Sequence, residues 1–184
     1  MTTAAKSITA EELHELPGSE YMELYEGEIV EVSPANARHG NIAVRIAALL
    51  LQHAKQKGLG EVLVEGGFIL RRNPDTVLGP DVSFIQRSRI PEGGLPEKFF
   101  EGPPDLAVEI ISPRNPRKEL EEKIRRYLIA GTPLCWLIEP GPRTVEIFRD
   151  PTGAHAGQKL SGNDPISGEN VLPGFSVPIS EFFA

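Results

Sequence analysis

The 184-residue sequence predicts a mixed-sheet α/β (α+β) domain with the order helix, three strands, helix, strand, plus an N-terminal hairpin and a C-terminal β segment. Two segments with apolar residues at helical spacing, each stopped by glycine, supply the helices. Short β-branched and aromatic runs bounded by Gly, Pro and Asp supply the strands. With 40% hydrophobic and 24% charged positions, the chain can bury one sizeable core, and residues 1–184 are read as a single domain.

Thr9-Ala-Glu-Glu reads as a capping box for a short helix that ends before Pro17 and Gly18. From Tyr21 to Val32, apolar and acidic residues alternate around Glu26-Gly27, as in a hairpin. Ile42, Ile46, Leu49 and His53 place a helix over Asn41 to Lys57, with Gly58 and Gly60 as its stop. Strand signals follow at Glu61 to Arg72, broken by Gly66-Gly67, then at Asp81 to Gln86 and at Asp105 to Ser112. The Gly/Pro-rich stretch 87–104 between the last two reads as a binding loop or flap. A second helix is expected from Pro116 to Ala130, its stripe being Leu120, Ile124, Tyr127 and Leu128. Thr132 to Glu139 and Thr144 to Arg149 complete the strands.

Net charge is −7, and residues 1–33 carry all of it, with Lys6 against eight glutamates. That balance excludes an unassisted, non-specific polyanion binder. A single cysteine, Cys135, excludes a disulfide framework, and no Cys/His cluster has zinc-site spacing. The acidic N-terminal stretch lacks an apolar signal core, and Ile46 to Leu51 is too short to span a bilayer. A soluble cytoplasmic protein without membrane partners is therefore the expectation.

Glu109 is the anomalous residue, set in Leu-Ala-Val-Glu-Ile-Ile-Ser, a run otherwise apolar on both faces and so read as a strand buried on two sides. A carboxylate there needs a cation, hydrogen bonds or a proton. A structural ion pair or a solvent-open strand end is the bland reading, and a metal or catalytic carboxylate the functional one. Asp75, Asp81 and Asp105 each follow proline, where turn chemistry alone explains an aspartate. Asp105 lies roughly 13 Å along its strand from Glu109, too far to share an ion. Asp81 opens a different strand and converges with Glu109 if the two strands pair, giving the oxygen donors a hard divalent cation requires. Lys123 flanks the second helix's buried stripe; it either snorkels to solvent or lies over the sheet, where it would stabilise charge on a phosphate.

Tyr-Met-Glu-Leu-Tyr-Glu-Gly-Glu-Ile-Val (21–30), Ser33-Pro34, His39, Gly-Pro-Asp-Val (79–82), Pro-Asp-Leu-Ala-Val-Glu-Ile-Ile-Ser (104–112), Glu-Lys-Ile-Arg-Arg-Tyr (122–127) and Leu-Pro-Gly-Phe (172–175) follow one another in an order and spacing that resembles the Uma family of restriction-endonuclease-like proteins. The resemblance implies the PD-(D/E)XK nuclease superfamily and Mg²⁺-dependent phosphodiester hydrolysis, with Mn²⁺ as a substitute. It makes Asp81 and Glu109 the metal and catalytic acids. Ile111 stands where the superfamily usually has lysine, so the resemblance points to Lys123 as the displaced lysine. Glu28 matches an acid of the Glu-Gly-Glu element, as a supplementary ligand or an exposed turn residue, and His39 matches a family histidine, as a phosphate contact or a helix-start residue. DNA is the expected substrate, met by Arg114, Arg117 and the other cations of 114–126, although a solvated helix face explains that cluster equally well. A homodimer is an assembly that the sequence leaves open. The rival readings are an inactive nuclease-like dimeric binding or regulatory module and a metal hydrolase acting on RNA or a nucleotide.

Overall fold

The computed structural model describes residues 7–152 and 157–184. Helix α1 (Ala10–His14) begins with the capping box at Thr9 and Glu12. A hairpin follows, β1 (Met22–Tyr25) and β2 (Glu28–Glu31), and then α2 (Ala37–Lys57), capped by the Asn36 side chain and closed by left-handed Gly58. The central strands are β3 (Gly60–Val64), β4 (Phe68–Arg71), β5 (Thr76–Leu78), β6 (Val82–Gln86), β7 (Phe100–Glu101) and β8 (Leu106–Ile110). Helix α3 (Arg117–Ala130) leads to β9 (Leu134–Glu139) and β10 (Thr144–Phe148), and the chain ends through β11 (Gln158–Ser161), β12 (Pro165–Ser167), β13 (Ser176–Pro178) and a 3₁₀ turn at Ile179–Phe183.

The main sheet has six strands in the order β11-β10-β9-β8-β6-β3. Its β3, β6 and β8 form an antiparallel meander, and α3 carries the chain across to β9, which runs parallel to β8. This is the predicted helix, three-strand, helix, strand core. A second, five-stranded sheet, β2-β1-β5-β4-β7, contains the hairpin.

Alternation along β8 sets the layers. Leu106, Val108 and Ile110 join the core under α2, while Ala107 joins the core under α3, with Leu120, Ile124, Tyr127 and Leu128. Glu109 shares the face of Ala107 and is directed to the α3 side. The C-terminal segment closes the α2 side, where Trp136 is stacked by Phe175 and Phe182. Burying each such aromatic contributes about 1.5–3 kcal/mol, so this tail belongs to the core.

Two features depart from the sequence expectations. The interrupted run from 61 to 72 is two strands in different sheets, because the chain turns at Gly66-Gly67, where a Cβ on Gly67 would meet Phe99 at 2.4 Å. In the hairpin, β2 is exposed throughout, while β1 buries an acid, Glu23, as well as Leu24. Among the described residues no helix is long and apolar enough to cross a membrane.

Candidate active site

Register brings the two predicted acids together. Val82 pairs with Val108 in the antiparallel β6/β8 ladder, so Asp81, one residue before β6, lies beside Glu109. Asp81 Oδ2 accepts the Ile110 backbone N–H at 2.6 Å and faces His39 Nε2 at 3.1 Å. His39 occupies the first turn of α2, so the helix start fixes it over the strand end.

Lys123 reaches the same place from α3. Its ammonium lies 3.1 Å from Glu109 Oε1 and 2.7 Å from Glu23 Oε1, and donates to the Gly79 carbonyl at 2.8 Å. Three acceptors match the three donors of an ammonium. The Tyr127 hydroxyl, one helical turn on, donates to Glu109 Oε1 at 3.1 Å. Glu23 is held in turn by the Gly79 N–H at 2.8 Å and the Tyr25 hydroxyl at 3.1 Å. The hairpin, the loop before β6, β8 and α3 thus meet on one buried network.

Burial dominates the electrostatics. It pushes the Glu109 carboxyl up to about 8, against the pull of the Lys123 ammonium and with the push of Asp81 and Glu23. For Lys123, burial opposes the charge, but Glu109, Glu23 and Asp81 outweigh it and hold the lysine protonated above its ordinary range. Burial likewise opposes charge on His39, and the hydrogen bond and charge of Asp81 overcome it, so its pKa is raised. The lysine keeps its proton and the glutamate ionises late.

Of the residues singled out in sequence, Asp81, Glu109, Lys123 and His39 converge, and Arg114 lines the cleft above them. Glu28 does not join them: it is exposed on β2, and the hairpin acid in the cluster is Glu23, five residues earlier on the opposite strand. Glu28 is the register partner of Tyr25 and so shares the sheet face of Glu23, but it stands on the exposed edge strand, whereas Glu23 sits on the inner strand that packs against the rest of the protein. Arg117 is also turned away, its guanidinium occupied by Glu121, Glu139 and Glu146. Asp75 and Asp105 serve the fold, the first accepting from Ala10 N–H and pairing with Arg72, the second accepting from Gln86 N–H and pairing with Arg89. Glu23 left no distinctive sequence signal, since its apolar neighbours read as an ordinary half-exposed hairpin.

Among the described residues no group of three His, Cys, Asp or Glu is arranged to enclose a cation. The donor set nevertheless fits a hard divalent ion held by two carboxylates. The bonds described above fall on Asp81 Oδ2 and Glu109 Oε1, leaving Asp81 Oδ1 and Glu109 Oε2 without a partner among the described residues. Magnesium commonly takes one or two carboxylates and keeps several waters.

A family model, Uma2, described as "Putative restriction endonuclease", matches residues 10–180. No curated protein matches the chain. A solved structure described as a putative nuclease belonging to DUF820, from Anabaena variabilis ATCC 29413, is similar with a TM-score of 0.82 and 24% identity, over 96% of this chain and 97% of that one. At that identity the likeness carries the fold, including the core that sets Asp81 beside Glu109.

Proposed function

Since the chain belongs to the Uma2 family, we propose that it is a Mg²⁺-dependent nuclease that hydrolyses phosphodiester bonds in DNA. The observation that carries the reading is the Lys123 ammonium set against Glu109, itself beside Asp81, at the floor of a cleft.

Asp81 Oδ1, Glu109 Oε2 and a backbone carbonyl beside Glu109 would hold the ion, for which Mn²⁺ is an equivalent oxygen-seeking substitute. When bound, Mg²⁺ polarises the scissile phosphate and lowers the pKa of an attacking water. Lys123 keeps its proton, so it acts as a donor rather than a base. One of its N–H groups turns from the Gly79 carbonyl to a phosphoryl oxygen, where it stabilises developing negative charge. Glu23 retains the ammonium at the site during that exchange. His39 holds one oxygen of Asp81 and thereby aims the other.

The test is cleavage of DNA with Mg²⁺, with Mn²⁺ and with EDTA, by the wild-type protein and by Asp81→Asn and Glu109→Gln variants whose folding is checked by circular dichroism. Metal-dependent cleavage lost in both variants is expected. A folded wild-type protein that cleaves no DNA with either metal would leave the inactive binding module as the better reading, and cleavage confined to RNA or nucleotides would leave the metal hydrolase.

A further inference from the structure

Resting on the nuclease reading, we infer that the cleft takes single-stranded DNA rather than intact duplex. The cleft has a volume of about 600 Å³, and Glu23, His39, Asp81 and Lys123 form its floor, the Lys123 side chain 12% exposed and Glu109 directly behind it at 1%. Its walls are residues 19–23 at the hairpin, 32–36 leading into α2 and 112–115 leading into α3, with Phe99 at one side. A scissile phosphate reaches Asp81 and Lys123 only by passing between these walls. A single strand can thread there, whereas a duplex presents its phosphates on the outside of a broad, stiff cylinder.

Charge points the same way. Duplex binders neutralise rows of phosphates with lysine and arginine. The cations lining this cleft are His39, Arg114 and Lys123, and the first and last already face carboxylates. Arg114 is the cleft-lining cation without an ion-pair partner among the described residues. Of the remaining cations in 114–126, Arg117 is held by three glutamates, Arg125 and Arg126 pair with Glu122, and Lys118 does not line the cleft. Glu20 and Glu65 add negative charge to the lining and repel a second backbone. The cleft also offers apolar surface, with Tyr21 half exposed and Met22, Pro34 and Pro113 beside it. Unpaired bases can stack and pack on such surface, while the bases of a duplex are already stacked on one another. One phosphate on Arg114 and one base on Tyr21 would deliver the next phosphodiester to the cluster.

The experiment is fluorescence anisotropy on the full chain, with Ca²⁺ replacing Mg²⁺, using a labelled 12-nucleotide DNA strand alone, the same strand as blunt duplex, and an RNA strand of the same sequence, between 50 and 200 mM salt. The single DNA strand is expected to bind at least tenfold more tightly than the duplex. Its salt slope should correspond to one or two phosphate contacts, about −0.7 each. Tyr21→Ala and Arg114→Ala should each weaken it at least fivefold. Duplex bound as tightly as the single strand, a slope steeper than about −4, or tighter binding of RNA would overturn the inference while leaving a nuclease in place. A protein that neither binds nor cleaves any of the three would remove the nuclease reading together with it.

Discussion

Lys123 stands 3.1 Å from Glu109 although the two lie on different elements, the lysine on α3 and the glutamate on β8, and the position two residues after Glu109 is the apolar Ile111. The cation is thus supplied from the helix that returns over the sheet. Its placement couples activity to stability, because the same ammonium is the partner of two buried acids, Glu23 and Glu109.

Lys123→Met should therefore abolish metal-dependent cleavage and also destabilise the fold. Removing one partner of a buried pair costs about 3–5 kcal/mol when the other charge is left behind. The simple expectation for a helix-flank lysine, loss of activity with an unchanged fold, does not suit a side chain that is 12% exposed and has three acceptors. Urea unfolding would measure the loss. The double variant Lys123→Met/Glu109→Gln should recover part of it, and a double variant no more stable than the single one would show that the pair contributes little.

How much of this could be read from sequence depends on whether the signal was local. Glu109 was legible because a carboxylate interrupts an apolar run, and Asp81 because register alone brings it alongside. The helix over Arg117–Ala130 was legible from the 120, 124, 127, 128 stripe and Gly131, and Lys123 falls beside that stripe. Glu23 was not, since β1 packs on α1 through Leu24 and on the core under α3 through Tyr25, and a strand covered on both faces has no one-dimensional mark when one of those faces is an acid and a tyrosine. Strands β5, β7 and β11–β13 are two to four residues each and owe their existence to neighbours rather than to propensity.

The two hairpin acids should behave oppositely. Glu23→Gln keeps the shape but removes the charge that holds Lys123 at 2.7 Å, and cleavage should fall at least tenfold, mostly in kcat. Glu28→Gln, on the exposed strand, should leave cleavage at the wild-type rate and change stability by no more than about 0.5 kcal/mol. Steady-state kinetics on both proteins checks the contrast, and a Glu28→Gln defect equal to that of Glu23→Gln would return the supplementary role to Glu28.

Tyr127→Phe isolates a hydrogen bond without opening a cavity. The hydroxyl donates to Glu109 Oε1 at 3.1 Å inside the core, and its loss should cost about 0.5–1.5 kcal/mol at neutral pH, where Glu109 holds its proton, and about 1.5–3 kcal/mol once the carboxyl ionises above about 8. Glu109 retains Lys123, so cleavage should drop by less than tenfold. Chemical denaturation paired with a cleavage assay separates the two effects.

Glu109 also predicts how stability and metal binding change with pH. Burial raises its carboxyl from the ordinary 4.5 to about 8, so between those values the folded protein holds a proton that the unfolded chain has released. Stability contributed by that proton is present at low pH, falls as pH rises through the window and levels off above about 8. His39, whose pKa is also raised, acts with the same sign from its ordinary 6.5 upward, while the Lys123 contribution is lost only above the ordinary lysine range. Glu109→Gln should therefore flatten part of the decline between pH 5 and 8 and leave the histidine share. Magnesium requires the ionised carboxylate, so its affinity should climb with pH, at most about tenfold per unit for one released proton, and level off near 8. Calorimetric magnesium titrations at pH 6, 7, 8 and 9 measure this directly. An affinity that stays flat from pH 6 to 8 would mean that Glu109 is not a ligand, and the ion would then have to be sought on Asp81 without it.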